Sequence, residues 1–155
     1  MEPREGCGRD STMKIFTIGY EKATQAELIA ALQAAGVERV IDVRAVPLSR
    51  RPGFSKNILA NGLAEHGIGY VLLKALGTPP EGREAARKHD LATLDRVYSG
   101  QLEEPEAIVQ TQQMLELAAE QPSALLCFER DPSGCHRTLL LRKVAPQAEI
   151  IDLFP

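Results

Sequence analysis

Tryptophan is absent from this chain of 155 residues, which has only four phenylalanines and three tyrosines. Aliphatic side chains must therefore form most of the core, and 44% of all residues are hydrophobic. No apolar run approaches the roughly 20 residues of a membrane-spanning helix, so no membrane partner is predicted. Three cysteines are too few for a disulfide framework, and a reducing, cytoplasmic location is the expectation.

Positive charge is also scarce. The chain has 18 lysines and arginines against 21 acidic residues, a formal net charge of −3, which disfavours a surface that coats nucleic acid. A local basic patch is still compatible with this balance, because residues 44–56 contain four positive charges and no acid. The polar residues 1–12 lack the apolar segment of a secretory signal, so we predict a flexible extension there and a single domain at residues 13–155.

Short apolar runs predict strands at residues 14–18, 39–43, 68–73, 123–128 and 149–154, with helical patterns between them. Thr24 followed by Glu27 is a capping-box pattern and predicts the start of the first helix. This alternation predicts an α/β fold, a three-layer, mainly parallel doubly wound sheet of about five strands with helices on both faces. The strand order 3-2-1-4-5 is our working assignment, and it places strands one and four beside the ligand crevice.

The densest chemistry lies in residues 124–141, ALLCFERDPSGCHRTLLL. Cys127 ends a predicted strand, and Glu129 and Asp131 follow in an acidic loop. A Pro-Ser-Gly turn then leads to Cys135, at the start of a helix for which Ser133 is the predicted cap. Ligands of doubly wound sheets bind at the carboxyl ends of the strands, so this segment is the predicted site.

Cys135 is flanked by His136 and Arg137 at the predicted helix start, where amide groups and neighbouring cations favour a thiolate. The same amides, together with Arg137, suit a phosphate or carboxylate. The alternative is a small residue packed at a tight helix start. The Cys-x5-Arg loop of tyrosine phosphatases is absent, because Arg137 lies only two residues beyond Cys135.

Cys127, Cys135 and His136 offer three zinc ligands, but the Cys-x7-Cys-His spacing matches no common zinc site. We therefore predict no metal and no cofactor. A redox pair of Cys127 and Cys135 is also open, although the Cys-x-x-Cys form is missing.

Several sequence blocks point to one family: TIGY at 17–20, DVR at 42–44, PLSRRPGFSK at 47–56 and CFERDPSGCHR at 127–137. They resemble the bacterial and archaeal family of domain of unknown function 488, over residues 14–144. The resemblance implies a small cytoplasmic α/β domain and supplies no reaction. It also implies that the following residues form one site: Tyr20, Asp42, Arg44, Ser49, Arg50, Cys127, Glu129, Cys135, His136 and Arg137.

We expect an enzyme, a cysteine-dependent transferase or hydrolase, that acts on a phosphate-bearing or other anionic substrate such as a nucleotide or nucleic-acid component. Cys135 is the predicted nucleophile, with His136 or Glu129 as proton carrier. The predicted substrate-binding residues are Tyr20, Asp42, Arg44, Ser49, Arg50 and Arg137. Two alternatives stay open: a non-catalytic module that binds nucleic acid or a phospho-ligand, and a structural metal or thiol redox site.

Overall fold

Five strands and six helices make up residues 13–155, the part of the chain that this computed structural model describes. The predicted extension at residues 1–12, with Cys7, lies outside the described residues. In chain order the elements are β1 (Lys14–Gly19), α1 (Gln25–Ala35), β2 (Arg39–Asp42), α2 (Lys56–Ala64), β3 (Gly69–Leu72), α3 (Pro80–Arg87), α4 (Leu91–Leu102), α5 (Pro105–Glu120), β4 (Ser123–Cys127), α6 (His136–Val144) and β5 (Glu149–Leu153). Short 3-10 turns lie at Lys74–Leu76 and Pro132–Gly134.

All strand pairs in the sheet are parallel, and the order is β3-β2-β4-β1-β5. The predicted fold class is confirmed. The working order 3-2-1-4-5 is wrong, because β4 lies between β2 and β1. The connection from β1 to β2 skips one position, which β4 fills later in the chain. Strands β1 and β4 are still neighbours, and Gly19 pairs with Cys127 at their carboxyl ends.

The two faces of the sheet carry separate cores, since successive strand residues point to opposite faces. Phe16 and Leu126 pack with α1 and α2 on one face. Ile15 and Leu125 pack with α4, α5 and α6 on the other. Strand β1 therefore leads to one face and β4 to the opposite face, which opens a crevice between their carboxyl ends. Within residues 13–155, no helix is long and apolar enough to cross a membrane.

The helix starts show one confirmed prediction and one error. The Thr24 hydroxyl accepts a hydrogen bond from the Glu27 amide, and the Glu27 carboxylate accepts one from the Thr24 amide, so the capping box is confirmed. Ser133 does not cap α6, because the chain first forms a 3-10 turn that Asp131 caps. Cys135 then adopts an extended conformation at the N-cap position of α6.

Candidate active site

A cavity of about 230 Å³ opens at the carboxyl edge of the sheet, where β1, β2 and β4 end opposite α3. One wall consists of residues that follow the strands or begin α6, and the other comes from α3 and the segment before it. The lining residues are Tyr20, Arg44, Ala45, Val46, Thr78, Arg83, Ala86, Arg87, Cys127, Phe128, Glu129 and His136. The predicted site and this cavity therefore coincide in part.

Two sulfur atoms meet at the strand-side wall. Cys127 and Cys135 are joined as a disulfide, with their Cα atoms 7.6 Å apart. Each residue is only 1% exposed, and Cys127 is the one that lines the cavity. The loop after β4 comes so close to β1 that a Cβ atom on Gly19 would overlap the Glu129 carbonyl oxygen. Because residue 19 is a glycine, the loop after β4 can lie directly on the end of β1.

Arg137 is fully buried beneath this wall. Its Nη1 atom lies 2.7 Å from Cys127 Sγ and donates to the Glu129 carbonyl oxygen, also at 2.7 Å. Among residues 13–155, no carboxylate lies within ion-pair distance of Arg137, and burial lowers its pKa to about 10. The structure thus places Arg137 against sulfur and loop carbonyls, below the cavity rather than on its surface.

His136 is 7% exposed and is held by its ring nitrogens. Nε2 lies 2.7 Å from the Val43 carbonyl oxygen, which can only accept, so Nε2 carries the hydrogen. Nδ1 then keeps its lone pair, 3.8 Å from Cys135 Sγ. Burial lowers the pKa of His136 to about 4, so the ring is neutral at pH 7.

Glu129 is the carboxylic acid of the cavity. Its Oε1 atom lies 3.8 Å from Cys127 Sγ. Burial raises the pKa of the Glu129 carboxyl, and the positive charge of Arg137 opposes that rise. A carboxyl group beside a sulfur in a partly buried cavity has the placement of a proton donor or acceptor.

Asp42 and Arg44 form a buried ion pair, with Arg44 Nη2 2.7 Å from Asp42 Oδ2. The Tyr70 hydroxyl also donates to Asp42, at 2.5 Å. Arg44 Nη1 donates to the Tyr20 hydroxyl and to the Phe54 carbonyl oxygen. Because Tyr20 and Arg44 line the cavity, this ion pair is both structural and the polar floor of the site.

The basic segment at residues 44–56 lines the cavity through Arg44, Ala45 and Val46, and its later residues do not line it. Ser49 is tied into the loop, since its hydroxyl accepts from the Arg51 amide and its amide donates to Ser55 Oγ. The Arg51 side chain donates to the Ala23 carbonyl oxygen, and Arg50 is exposed. Neither Ser49 nor Arg50 lines the cavity. The structure therefore leaves these two predicted residues outside the cavity lining.

Sequence reasoning missed two arginines. Arg83 and Arg87 stand four positions apart on α3, hence on one face of the helix, and both line the cavity. Arg83 donates to the Thr78 carbonyl oxygen at 3.0 Å, and no carboxylate of residues 13–155 lies within ion-pair distance of it. Arg87 pairs with Glu84 at the surface. The four-residue spacing was an available signal, but it does not reveal that α3 faces the carboxyl edge.

Comparison with known proteins gives one match. The family model described as Domain of unknown function DUF488 covers residues 24–144. The chain belongs to this family. The predicted family membership is confirmed, and the matched residues include every predicted site residue except Tyr20. Comparisons with curated proteins and with solved structures gave no match.

The DUF488 match assigns no reaction, and the residues that line the cavity limit the chemistry it can support. The charge of Arg44 is compensated by Asp42, whereas Arg83 and Arg87 add positive charge on the α3 wall. The strand-side wall of this DUF488 domain carries sulfur, carboxyl and imidazole groups. Cys127, Cys135 and His136 are also a possible metal-ligand group, with their ligand atoms within 4.8 Å of one another. The cavity therefore combines arginine side chains with sulfur, carboxyl and imidazole groups.

Proposed function

We propose that this chain is an enzyme that binds a small anionic, phosphate-bearing substrate in the cavity and acts on it as a cysteine-dependent transferase or hydrolase. One observation carries the proposal: Arg83 and Arg87 line the same cavity as Cys127 and Glu129. Guanidinium groups match the geometry of phosphate and carboxylate oxygens. A cavity of about 230 Å³ suits a small molecule or one nucleotide component rather than a duplex.

Substrate binding is divided between the two walls. Arg83 and Arg87 hold the anion, because Arg83 has no carboxylate within ion-pair distance in residues 13–155 and Arg87 is engaged only by Glu84 at the surface. Tyr20 and Arg44 contact the substrate from the floor, with Asp42 fixing the orientation of the Arg44 guanidinium. The predicted residues Ser49, Arg50 and Arg137 support the site from outside the cavity: Ser49 through loop hydrogen bonds, Arg50 by long-range charge and Arg137 through the sulfur.

The reacting groups stand opposite the arginines. A cysteine reacts as its thiolate, and the Arg137 donor beside Cys127 favours that form in the reduced protein. Cys127 lines the cavity and is the sulfur that contacts the substrate. Cys135, the nucleophile predicted from the sequence, is joined to Cys127 and does not line the cavity. Glu129 is placed to transfer a proton. A cytoplasmic location is part of the proposal, because a reducing compartment keeps both sulfurs as thiols.

Two alkylating reagents of different charge test the proposal. Reduced, metal-free protein is treated with anionic iodoacetate or neutral iodoacetamide, and mass spectrometry locates the modified cysteine. Relative to a free small thiol, Cys127 should prefer iodoacetate by about tenfold at low salt, because a cationic cleft concentrates anions. Inorganic phosphate should protect the sulfur.

Matched variants identify the source of this preference. The preference should fall in R83A and R87A. It should persist in R96A, which removes the same charge from an exposed position on α4 outside the cavity. An equal fall in R96A would assign the effect to net charge and would contradict an anion site. Absence of alkylation at both Cys127 and Cys135 would contradict the cysteine-dependent reaction.

A further inference from the structure

Two cysteines and one histidine converge at the cavity wall from two elements. Cys127 ends β4, while Cys135 and His136 open α6, and the three side chains are buried. Their ligand atoms all lie within 4.8 Å of one another. Thiolate and imidazole together form the soft donor set that favours zinc over magnesium or calcium. The group therefore meets the first requirement of a zinc site, a compact set of suitable donors.

The imidazole is oriented as a metal ligand. Its Nε2–H donates to the Val43 carbonyl oxygen at 2.7 Å, and this fixes the Nδ1 lone pair toward the sulfurs. Tyr98 packs edge-on against the same ring, with ring centroids 5.2 Å apart. Histidines that bind metals usually donate their second ring N–H to a carbonyl or carboxylate in this way. The ring is thus held in one tautomer and in one position.

The charges around the sulfurs also fit a divalent cation. Arg137 is a buried cation that lacks a carboxylate partner within residues 13–155, and its Nη1 donates to Cys127 Sγ. A buried charge without a counter-charge is costly, and thiolates supply the missing negative charge. Two thiolates would therefore supply two negative charges beside Arg137 and a divalent ion.

The backbone leaves space for an ion between the sulfurs. The Cα atoms of Cys127 and Cys135 are 7.6 Å apart, whereas disulfide-linked Cα atoms usually lie about 4.4–6.8 Å apart. Two thiolates that share a zinc ion, each about 2.3 Å from the metal, stand further apart than bonded sulfurs. Reduction followed by a modest separation of the two sulfurs would therefore accommodate the ion on the present backbone.

We propose that the reduced protein binds one zinc ion through Cys127, Cys135 and His136, with the fourth coordination position toward the cavity. Three protein ligands with one open position are typical of catalytic zinc sites, where the ion acts as a Lewis acid. The inference rests on the proposed function only for where the substrate lies. In the zinc-loaded protein both sulfurs would be ligands, and the ion would supply a Lewis acid at the cavity. The cysteine-dependent reaction proposed above therefore belongs to the reduced, metal-free protein.

Cobalt substitution tests the ligand set directly. Reduced full-length protein titrated with Co²⁺ should take up one equivalent, with thiolate charge-transfer absorption in the near ultraviolet and intense visible bands from tetrahedral cobalt. Zn²⁺ should displace the cobalt and remove the bands. Reduced wild-type protein that develops no such bands would overturn the proposal.

Single-ligand variants identify the site. C127S, C135S and H136N should each weaken cobalt affinity by at least about tenfold and alter the charge-transfer band or the visible bands. H66N, which removes an exposed histidine, and C7S should retain the wild-type spectrum. Unchanged spectra in both C127S and C135S would overturn the assignment. Circular dichroism identifies any variant that fails to fold. If H136N fails to fold, C127S and C135S still test the ligand assignment.

The metal and anion proposals fail separately. Wild-type cobalt binding with no phosphate effect in the metal-free protein would remove the anion site and keep the metal site. A phosphate effect that depends on Arg83 in a protein that binds no cobalt would do the reverse. The cobalt spectrum of R83A should match the wild type, because Arg83 lines the cavity without belonging to the ligand group.

Discussion

Replacing Arg137 with methionine should lower the free energy of unfolding by about 3–5 kcal/mol. Methionine keeps much of the aliphatic volume and removes the guanidinium. Two short contacts disappear, to Cys127 Sγ and to the Glu129 carbonyl oxygen, both at 2.7 Å. Hydrogen bonds from charged donors contribute about 1.5–3 kcal/mol each, and the buried acceptors lose their partner. Relief of the burial penalty on the guanidinium offsets part of this loss, which sets the upper end of the range.

Urea unfolding in reducing buffer measures the loss, and the thermal midpoint should fall by roughly 6–20 °C. R142M is the matched control, since Arg142 is an exposed arginine on the same helix. It should change the free energy of unfolding by no more than about 0.5 kcal/mol. R137K should be intermediate, because lysine retains the charge but cannot direct several planar donors to fixed acceptors.

A loss below about 1 kcal/mol in R137M would refute this reasoning. It would show that the sulfur and the loop carbonyls are satisfied without the guanidinium. A wild-type free energy of unfolding in R137K would show that a single positive charge suffices and that the planar arrangement of the guanidinium donors is unimportant. The first result would also weaken the charge argument for a thiolate at Cys127, whereas the second would retain it.

Two further pairs of substitutions test the backbone packing at Gly19 and the buried ion pair of Asp42. Gly19→Ala should destabilise the fold by several kcal/mol because its Cβ would overlap the backbone of the loop after β4, whereas Gly100→Ala, in open space within α4, should stabilise it by about 0.5–1 kcal/mol. Thermal unfolding gives both values, and shifts of the same sign would contradict the packing at Gly19. Asp42→Asn leaves Arg44 buried without its counter-ion and should cost about 3–5 kcal/mol, against less than about 1 kcal/mol for Glu120→Gln in an exposed pair. Equal losses in urea melts would show that burial does not decide the strength of these pairs.

The strands and the fold class were predictable because buried parallel strands are short apolar runs, and local patterns show them directly. Thr24 and Glu27 similarly define the start of α1 through contacts only three residues apart. The order of the strands was not predictable by the same means. The order depends on β4 pairing with both β1 and β2, which are consecutive in the chain but not adjacent in the sheet. No local periodicity in the sequence indicates this pairing.

The site shows the same division between local and long-range information. Cys127 and Glu129 could be placed because residues after parallel strands meet at one edge of the sheet. The direction of Arg137 could not, since position on a helix start does not reveal that sulfur and carbonyl acceptors lie beneath it. Arg83 and Arg87 could not be predicted as site residues. They lie on α3, within the connection between β3 and β4, and no local pattern shows that this connection passes the cavity.

The buried contact between Arg137 and Cys127 and the exposed charge of Arg87 should respond differently to salt. Cys127 ends the central strand, between β1 and β2, and Arg137 contacts its sulfur in a fully buried position. Charges in such surroundings interact several times more strongly than in water and are screened little. Arg87 is exposed, so its attraction for an anion weakens as the Debye length shrinks to about 8 Å at physiological ionic strength. The reactivity of the sulfur should therefore persist at high salt, whereas the preference for anionic reagents should decline.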